Sequence, residues 1–365
     1  MSEELLTTEE LATGYVDIDE LPKVHTSDLI SFMRCRRRWD WGSYTRQNLE
    51  PVVGSDKLYF GSAFHFALED FHGYREYDQA SAALEAYMKG TPKEERVPEW
   101  FELLELGTAM LDYYQDVWLE GRDTYSTLWL DHKPQVELHF AIPLRNQAAE
   151  IVAVYKGIID KVCVDAYGRF WILDYKTARQ FSTAKLENDP QATGYTWAAT
   201  QLYGVKFEGM LYQQHLKYAP GPPLELKNNK GLSQNKQQST TYRLYRQSLK
   251  DYYGDAVPWH LYQEFLDYLI TQETEDADKF IRRDMVRRND AELDSFALNV
   301  QLMVGDMFSE DLRIYPNPTR DCSWDCDFLP VCLALDDGSD WQQLLGGYRK
   351  RVKDAPTERS RIRRR

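Results

Sequence analysis

Four features that the sequence lacks narrow the classes of protein to which it can belong. No apolar run approaches the roughly 18 residues that cross a bilayer, and the start, MSEELLTTEE, is acidic where a signal peptide would be basic and then apolar. Neither an internal repeat nor the Walker A pattern GxxxxGKS/T occurs. We therefore expect a cytoplasmic protein that has no membrane role and carries no helicase motor.

Positive charge is also in short supply. Lys and Arg number 44 against 58 Asp and Glu, which gives a formal net charge of -14. Because nonspecific affinity for nucleic acids comes mainly from Lys and Arg on phosphates, this argues against a protein coated with phosphate contacts. The cations are concentrated, however, in Arg34, Arg36, Arg37 and Arg38 and in the tail from Arg349 onward. A local basic channel is therefore compatible with the acidic whole.

The sequence is rich in residues that form a core. Its hydrophobic share is 43% and its aromatic share 13%, including 24 Tyr and 10 Trp, far above what a disordered chain carries. A chain of 365 residues is long enough for one elaborated domain or two closely joined ones.

Changes of pattern along the chain predict seven segments. Apolar residues recur mainly at helical spacing before residue 135 and alternate as in strands after it. The segments are an acidic flexible arm at 1–24, a helical region at 25–134, a sheet with one helix at 135–218, an exposed loop at 219–240, a strand and C-terminal helices at 241–310, a cysteine-rich region at 311–345 and a basic tail at 346–365.

Caps and periodicity predict the individual elements. Thr26 or Ser27 is expected to cap a first helix that carries Cys35 in its last turns, and a second helix at about 60–74 carries His65. The remaining predictions are helices at 81–119 with a break near Thr91, at 183–202 and at 259–307, and strands at 136–142, 151–164, 169–175 and 206–217.

The most informative stretch is a hairpin that carries polar side chains. If Gly168 takes the left-handed position of a short loop centred on Tyr167, then Asp160 lies opposite Asp174. Lys176, two residues after Asp174, shares that face. The residues expected to point the other way are Ile159, Leu173 and Tyr175.

Two carboxylates and a lysine in one place suit metal chemistry. Carboxylate oxygens bind hard divalent ions such as Mg²⁺ or Mn²⁺, which polarise a phosphate and lower the pKa of an attacking water. Lys176 can orient that water or stabilise charge on the phosphoryl oxygens. The alternative is that Asp174 and Lys176 form a solvated ion pair at a strand end. An isolated DxK triplet is weak support, but the apolar flanks and the facing Asp160 favour the metal site.

Four patterns occur in a fixed order around this hairpin. They are Gly61-Ser62-Ala63-Phe64-His65, Gly157 to Asp160, Asp174 to Lys176, and Gln191-Ala192-Thr193-Gly194-Tyr195. The ordered set resembles the RecB-like branch of the PD-(D/E)XK nucleases, whose pattern is an early histidine, a GxxD strand, a DxK strand and a QxxxY helix.

The resemblance implies an α/β (α+β) fold: a restriction-endonuclease-like core with a mixed sheet flanked by helices, a helical N-terminal insertion and a C-terminal iron-sulfur region. It makes residues 135–218 the nuclease core. Taken singly, His65 also suits a packed core histidine, and Gln191 with Tyr195 an ordinary helix-face pair. The roles that the resemblance implies are metal ligation by His65, Asp160, Asp174 and the carbonyl of Tyr175, catalysis by Lys176, and orientation of the site or DNA contact by Gln191 and Tyr195.

The cysteines form a second group. Cys322, Cys326 and Cys332 are close enough in sequence to bind one centre, whereas Cys163 stands alone and is expected to be a small core residue. In the families that this chain resembles, called Cas4-like, an N-terminal cysteine such as Cys35 joins three C-terminal ones around a 4Fe-4S cluster. The first local spacing here has three intervening residues where two are usual. Four thiolates also make a zinc site, and spacing alone does not separate the two.

The resulting hypothesis is a divalent-metal-dependent DNA exonuclease that acts on single-stranded ends in recombination, repair or phage DNA processing. The alternatives are a nuclease subunit of a helicase-nuclease or CRISPR adaptation complex, and a noncatalytic iron-sulfur scaffold that binds DNA. Expected partners are DNA and a recombinase, helicase or Cas-type protein. The basic group at Arg34–Arg38 is either a lip for the DNA strand, with Trp39, Trp41 and Tyr44 stacking on bases, or a solvated helix face.

Overall fold

The computed structural model describes residues 20–52, 56–91, 96, 98–119, 123–184, 186–227, 230–274 and 279–351. Most of the arm predicted at 1–24, and most of the tail predicted at 346–365, lie outside these residues. Among the described residues, no helix combines the length and the apolar character needed to span a membrane.

The secondary structure is mixed, with most helices in the N-terminal and C-terminal parts of the described chain and the longer strands mainly in the middle. The strands are β1 (Lys23–Val24), β2 (Leu49–Pro51), β3 (Ser126–Thr127), β4 (Trp129–Leu130), β5 (Lys133–Pro134), β6 (Val136–Arg145), β7 (Ile151–Val164), β8 (Phe170–Ala178), β9 (Phe207–Leu216), β10 (Ile281–Arg287) and β11 (Tyr348–Lys350). The α-helices are α1 (Thr26–Arg34), α2 (Arg36–Gly42), α3 (Asp56–Glu69), α4 (Ala80–Gly90), α5 (Trp100–Tyr113), α6 (Pro190–Tyr203), α7 (Tyr242–Tyr253), α8 (Trp259–Thr274), α9 (Asp290–Met307), α10 (Cys322–Asp325), α11 (Leu329–Asp337) and α12 (Trp341–Leu344).

One seven-stranded sheet organises the protein. Its path is β1-β7-β8-β9-β10, and β3 and β6 also pair with β7. The β6–β7, β7–β8 and β9–β10 pairs are antiparallel, whereas β1–β7 and β8–β9 are parallel. The mixed sheet flanked by helices confirms the predicted fold class.

Both faces of the sheet are covered by helices. One hydrophobic cluster packs α3, α4 and α5 against one face, and a second packs α1, α6 and α9 against the other. Strand β8 lies between the two clusters, and its residues from Trp171 to Tyr175 are all buried. Double burial explains why this stretch of β8, from Trp171 to Tyr175, is apolar apart from Asp174.

The predicted start of the first helix is wrong. Thr26 is already helical and His25 is the N-cap residue. The carboxylate of Asp28 accepts the backbone N–H of His25 at 2.9 Å, while the Thr26 hydroxyl bonds the Tyr155 hydroxyl at 2.7 Å and so faces the sheet. Cys35 is extended, with φ -163°, and separates α1 from α2; it does not lie in the last turn of a helix.

The helix predicted at 183–202 begins later than expected, at Pro190. The Asp189 side chain accepts the backbone N–H of Gln191 at 2.9 Å, which caps the helix, and Pro190 is suited to its first turn. The long helices predicted over 259–307 are α8 and α9, and the strand β10 lies between them. Strand β10 is short and carries Arg282, Arg283 and Arg287, so its sequence lacks an apolar alternation.

The two ends of the described chain, and the segment predicted as an exposed loop, pack against the rest of the fold more closely than expected. β1 lies within the arm predicted at 1–24 and pairs with β7, and β11 lies within the tail predicted at 346–365 and pairs with β2. In the segment 219–240, predicted as an exposed loop, Leu232 is buried in a cluster with Tyr245 and Tyr262. The region predicted as helical at 25–134 also contains the short strands β2 to β5.

Candidate active site

The hairpin of β7 and β8 has the predicted register. Gly168 has φ 77°, and the pairs run from Val164↔Phe170 to Lys161↔Leu173. The pairing of the two strands ends at Lys161 and Leu173, so it stops one residue short of Asp160 and Asp174. In place of a further ladder bond, the Asp160 carboxylate accepts the backbone N–H of Tyr175 at 2.8 Å. Asp160 is therefore fixed by the neighbouring strand at the point where the two strands part.

Ile159 does not point where the hairpin pattern predicts. It belongs to the cluster under α1, α6 and α9, whereas Leu173 and Tyr175 belong to the cluster under α3 to α5. Val162, three residues after Ile159, lies in the same cluster as Ile159. A regular strand would place residues three apart on opposite faces, so β7 changes its face between these positions.

A hydrogen-bonded network joins β8 to the start of α6. Lys176 Nζ lies 3.0 Å from Asp174 Oδ1 and 2.8 Å from Oδ2. Gln191 donates from Nε2 to Asp174 Oδ1 at 2.8 Å, and its Oε1 accepts from Lys176 Nζ at 3.4 Å. Because Asp189 caps α6 and also accepts the Tyr212 hydroxyl at 2.9 Å, the position of Gln191 is tied to β9 as well. Gln191 thus orients both the carboxylate and the ammonium.

The two aspartates differ in their affinity for a proton. Burial, together with the nearby charge of Asp160, raises the pKa of Asp174 to about 6. Burial acts on Asp160 in the same direction, but the charges of His65 and Lys176 and the Tyr175 N–H hold its pKa below the ordinary value. Burial alone would lower the pKa of Lys176, and the carboxylates of Asp174 and Asp160 more than offset this. Lys176 therefore stays protonated next to Asp174. Burial makes the Asp174 carboxylate costly to ionise unless a cation lies close to it.

His65 reaches this site from α3. Its Nε2 lies 2.7 Å from the Tyr175 carbonyl oxygen and its Nδ1 lies 3.3 Å from Asp160 Oδ1. Burial lowers the pKa of the imidazole, but Asp160 and other carboxylates bring it above the ordinary value. The structure therefore brings together His65, Asp160, Asp174, the Tyr175 carbonyl, Lys176 and Gln191, as the resemblance implies.

Glu137 is a site residue that reasoning from the sequence missed. A carboxylate oxygen of Glu137 and ligand atoms of His65 and Asp160 all lie within 4.8 Å of one another. Glu137 interrupts β6 with φ 46°, a conformation that non-glycine residues adopt at a cost of roughly 1–3 kcal/mol. A sequence pattern for a regular strand does not predict this bend, although the hairpin of β6 and β7 places Glu137 near Asp160.

Tyr195 lies beside the network and packs against the sheet. Its ring meets that of Phe140 edge-on at 5.3 Å, and its hydroxyl receives a backbone hydrogen bond from Ile158. A Cβ atom at Gly157 would lie 2.4 Å from the Phe140 ring and 3.0 Å from the Tyr195 hydroxyl. The glycine of the GxxD pattern is therefore required by the close approach of Phe140 and Tyr195.

Behind the site, on the opposite face of β8, three buried charges support the strand. Asp123 lies 2.7 Å from Arg283 and 3.9 Å from Lys161 Nζ. Burial opposes the ionisation of Asp123, but Lys161 and Arg283 lower its pKa to about 2. Lys161 Nζ lies 6.0 Å from the centre of the Tyr175 ring. The backbone that carries the Tyr175 carbonyl is thus held from both faces.

A cleft of about 1360 Å³ opens beside Gln191 and Tyr195. It runs along β6 and β7 and is bounded by the start of α1 and by the segment that follows α2. Its lining combines cationic side chains with aromatic and apolar ones, namely Lys23, Arg46 and Lys156 with Tyr44, Ile30 and Ile158. The acidic protein therefore has a partly basic groove next to its carboxylate site.

Cys35, Cys322, Cys326 and Cys332 line one cavity of about 90 Å³. Backbone N–H groups of Asn317 and Thr319 point at the sulfurs of Cys35 and Cys322, each at 3.4 Å, and Arg37 Nη1 lies 3.2 Å from Cys332 Sγ. Cys163 is fully buried and lies elsewhere, as predicted. The four thiols come together as the resemblance implies, and donors already point at three of them.

The basic group beside Cys35 is largely occupied by acidic partners. Arg34 and Arg38 both contact Asp325, Arg36 lies 3.2 Å from Asp306, and Arg37 lies 2.7 Å from Asp336. Trp39 and Trp41 are only 1% and 5% exposed, so they are core residues and do not stack on bases. The interpretation as a strand-binding lip is wrong for these two tryptophans; Tyr44 is the aromatic that lines the cleft.

The donor set suits a divalent cation. Ligands at right angles around an octahedral Mg²⁺ at 2.0–2.1 Å lie about 3 Å apart. The 3.3 Å between His65 Nδ1 and Asp160 Oδ1 matches this spacing, whereas His65 Nε2 and the Tyr175 oxygen, 2.7 Å apart, lie within hydrogen-bond distance. Asp174 Oδ2 is buried and, within the described residues, meets only the Lys176 ammonium.

Comparison with known proteins agrees with this geometry. A family model described as the PD-(D/E)XK nuclease superfamily matches residues 26–333. No curated protein matches the sequence significantly. One solved structure, described as the crystal structure of SSO0001, is 17% identical, with a TM-score of 0.24. That alignment covers 56% of this chain and 66% of the other, slightly under two thirds of its length. With a family match over most of its length, the chain belongs to the PD-(D/E)XK nuclease superfamily.

Proposed function

We propose that this protein is a divalent-metal-dependent nuclease, an exonuclease that degrades DNA from single-stranded ends. The cleft of about 1360 Å³ beside Gln191 and Tyr195 is the observation that carries this proposal. It exceeds the roughly 300–1,000 Å³ of small-molecule pockets, which fits a polymer. Lys23 and Lys156 suit phosphates, and Tyr44 and Ile158 suit unstacked bases, the combination by which proteins hold single strands.

The residues of the site divide the chemical work between them. A bound Mg²⁺ or Mn²⁺, held by Asp160, Asp174 and the Tyr175 carbonyl together with His65, would polarise the scissile phosphate and activate water. Lys176 stays protonated and stabilises negative charge on the phosphoryl oxygens. Gln191 keeps Asp174 and Lys176 in place, and the Tyr175 N–H keeps Asp160 in place. Tyr195 forms the wall between the network and the cleft.

The cysteine cavity is proposed to hold a 4Fe-4S cluster that joins the two ends of the fold. A single zinc ion would occupy a small part of a cavity of about 90 Å³, since one water needs only about 10–15 Å³ in the same measure. The N–H donors aimed at Cys35, Cys322 and Cys332 suit thiolates that carry negative charge. A zinc site stays the alternative, and metal analysis of the purified protein separates the two.

An exonuclease of single strands needs ends that another protein exposes. Because no Walker A pattern occurs in the sequence, the proposal includes a partner that supplies them: a helicase, a recombinase or a Cas-type protein. Use in DNA recombination, repair or phage DNA processing follows from that role.

The test compares substrates that differ only in their ends. Linear single strands, linear duplexes and closed single-stranded circles are incubated without oxygen with Mn²⁺ or Mg²⁺. We expect linear single strands to be degraded and circles to survive, with Asp174→Ala and Lys176→Ala roughly 100-fold slower or more. The exposed Lys133→Ala protein is the matched control and keeps the wild-type rate. Circles cut as fast as linear strands would overturn the exonuclease proposal, and equal rates for all proteins would overturn the catalytic site.

The cleft is tested separately through Lys156. We expect Lys156→Ala to raise KM for single strands, leave kcat unchanged, and reduce the salt dependence of binding by about one phosphate contact. An unchanged KM and an unchanged salt slope would show that the strand follows another path.

A further inference from the structure

The end of the sheet that carries Lys176 also carries a long insertion. In the parallel pair of β8 and β9, Lys176 lies beside Gln214, and β9 ends at Leu216. The chain returns to the sheet at Ile281, which pairs with His215, and α7 and α8 lie in between. Along the sheet, the candidate active site on β7 and β8 therefore lies between the cleft on β6 and β7 and the insertion that follows β9.

The first half of this insertion has a charge opposite to that of the whole protein. From Leu226 to Lys250 the sequence has six Lys or Arg and no Asp or Glu, where the overall share of 58 acids in 365 residues would give about four. From Asp251 to Asp278 it has eight acids and no Lys or Arg. Residues 226–250 thus form a basic segment within an acidic chain.

Helix α7 presents three of these cations on one side. Arg243, Arg246 and Lys250 are three and four residues apart, so they lie on the same side of the helix, and all three are exposed. Tyr245 and Leu249 are buried in the hydrophobic cluster that packs α7 against α8. The buried side of α7 therefore fixes the direction in which its cations face solvent.

Most cations of the basic segment have no acidic partner. Arg243 lies 2.7 Å from Asp116, but among the residues that the structure describes, Lys230, Arg246 and Lys250 form no ion pair. The four arginines between residues 34 and 38 differ in this respect, since each contacts an aspartate. The charge of the basic segment is therefore balanced by solvent ions, which a polyanion such as DNA would release on binding.

Two further lysines lie in a short hairpin before α7. Glu225 and Leu232 form a β-bridge, and Lys227 and Lys230, both exposed, lie between them in the sequence. The hairpin is anchored to α8, because the Tyr262 hydroxyl accepts the backbone N–H of Leu232 at 3.2 Å. The lysines are therefore presented from a fixed support.

The aromatic rings beside these cations favour a duplex over a single strand as the ligand. Arg246 lies over the rings of Trp259 and Tyr242, 5.4 and 5.8 Å from their centres, and Lys236 lies 4.6 Å from the centre of the Tyr268 ring. All three rings are also partly buried. Single strands are held by bases that stack on open rings, whereas a duplex keeps its bases stacked and offers its phosphates to Lys and Arg.

We propose that the basic segment binds the phosphate backbone of duplex DNA, and that the substrate is a duplex with a single-stranded tail. The tail passes Asp174 and Lys176 into the cleft, while α7 and the hairpin hold the duplex from which the tail emerges. The order of cleft, active site and insertion along the sheet allows one DNA molecule to contact all three. This inference rests on the proposed function and names its substrate.

The experiment measures binding, so its result does not depend on cleavage. Three labelled DNAs are titrated with the full-length protein without added metal: a single strand, a blunt duplex, and that duplex with the single strand as its tail. We expect the tailed duplex to bind about 10-fold more tightly than the single strand, because it contacts both surfaces. Fluorescence anisotropy at several salt concentrations gives the affinities.

The Lys230→Ala, Lys250→Ala double variant should lose most of this preference. We expect the slope of log K against log salt for the tailed duplex to fall by about two, because two phosphate contacts are lost, and the affinity for the single strand to stay unchanged. The Lys230→Arg, Lys250→Arg double variant should keep the preference, since Arg also binds phosphates. A common unfolding temperature for these proteins checks that the fold is intact.

The Lys133→Ala, Lys206→Ala double variant is the matched control. It removes the same charge from two exposed positions, and Lys206 precedes β9 at the end opposite to the insertion. We expect it to bind all three DNAs as wild type does.

Equal affinity of wild type for the tailed duplex and the single strand would contradict the inference. A Lys230→Ala, Lys250→Ala protein that binds both DNAs like wild type would also contradict it and would assign the cations to an acidic protein partner. If single strands are cleaved but the tailed duplex is not preferred, the exonuclease proposal stands and this inference fails. If the preference depends on Lys230 and Lys250 but no DNA is cleaved with Mn²⁺ or Mg²⁺, the duplex surface stands and the nuclease proposal fails.

Discussion

The carboxylate site and the cysteine cavity both join parts of the chain that are far apart in sequence, but they are built differently. The carboxylates lie in the middle of the seven-stranded sheet, with Asp174 only 4% exposed and fixed by Gln191 and Lys176. The cysteines lie on short helices and turns near the ends of the described chain, and all four are partly exposed. The sheet positions the carboxylate site, whereas surface ion pairs hold much of the cysteine region in place.

The difference fits two separate roles: the carboxylate site is the proposed catalytic site, and the cysteine cavity joins the two ends of the fold. The hydrogen bonds to Asp160 and Asp174 come from backbone and side chains that are already placed by the fold, so the site is organised before a cation binds. The cysteine region has a small cluster of its own, centred on Trp41, Phe328 and Val331. A cluster of this size contributes little apolar burial, so the proposed metal centre would help to tie the two ends together.

The largest expected effect comes from the buried charges that support the sheet. Asp123→Asn leaves Lys161 and Arg283 buried without their carboxylate, so we expect the free energy of unfolding to fall by about 3–5 kcal/mol. The measurement is urea unfolding followed by circular dichroism. Asp116→Asn, which breaks the exposed pair with Arg243, is the matched control and should cost less than about 1 kcal/mol. Equal losses in the two variants would contradict this account of the sheet.

Loss of Lys176 should break catalysis while leaving both regions folded. We expect Lys176→Ala to lower kcat by about 10²–10³-fold, because charge on the phosphoryl oxygens loses its stabilising ammonium. Its unfolding temperature and its iron content should match wild type. A Lys176→Ala protein that is inactive because it has lost iron or unfolds early would show that the two regions are not independent.

The Asp123 carboxylate also predicts a dependence of stability on pH. Its pKa is about 2 in the folded protein against an ordinary 3.8, so its ionised form stabilises the fold. This contribution, about 2.5 kcal/mol, is present above pH 3.8 and is lost as the pH falls towards 2. We expect the difference in unfolding free energy between wild type and Asp123→Asn to shrink across that range. A constant difference from pH 5 to pH 2 would be the contrary result.

The two regions also differ in how far the sequence predicts them. The register that places Asp160 near Asp174 follows from one glycine, Gly168, and from the period of the strands. The face change between Ile159 and Val162 and the left-handed φ of Glu137 do not follow, because they depend on how β7 bends between its neighbouring strands. The thiols were grouped by resemblance and spacing alone.

The contacts near the two ends of the described chain follow from the sequence even less. The sequence patterns do not show that β1 and β11 join the fold, since strands of two and three residues carry no period. The acidic partners of Arg34, Arg36, Arg37 and Arg38 lie roughly 270 to 300 residues away in sequence, where local pattern has no bearing on pairing.

Replacing one of the four cysteines should weaken the attachment of the cysteine region to the rest of the protein. We expect Cys326→Ser to lose its iron and to lower the free energy of unfolding by about 2 kcal/mol, near the lower end of what a native cross-link contributes. Activity falls as a consequence of instability, so it should recover partly at low temperature. Cys163→Ala is the matched control and retains iron. A folded Cys326→Ser protein with full iron content would remove Cys326 from the ligand set.

The smallest effect is expected at the surface ion pairs of β2 and β11, which bring the last described residues onto the fold. Arg349 Nε lies 2.9 Å from Glu50 Oε1 and Arg351 Nε lies 3.4 Å from Oε2, and both arginines are about half exposed. Exposed pairs contribute about 0.2–1 kcal/mol because water and salt screen them. We therefore expect Arg349→Ala to lower the free energy of unfolding by that amount at low salt and by less in 0.5 M salt. If Arg349→Ala costs as much as Cys326→Ser, then ion pairs, and not the thiols, hold the C-terminal region in place.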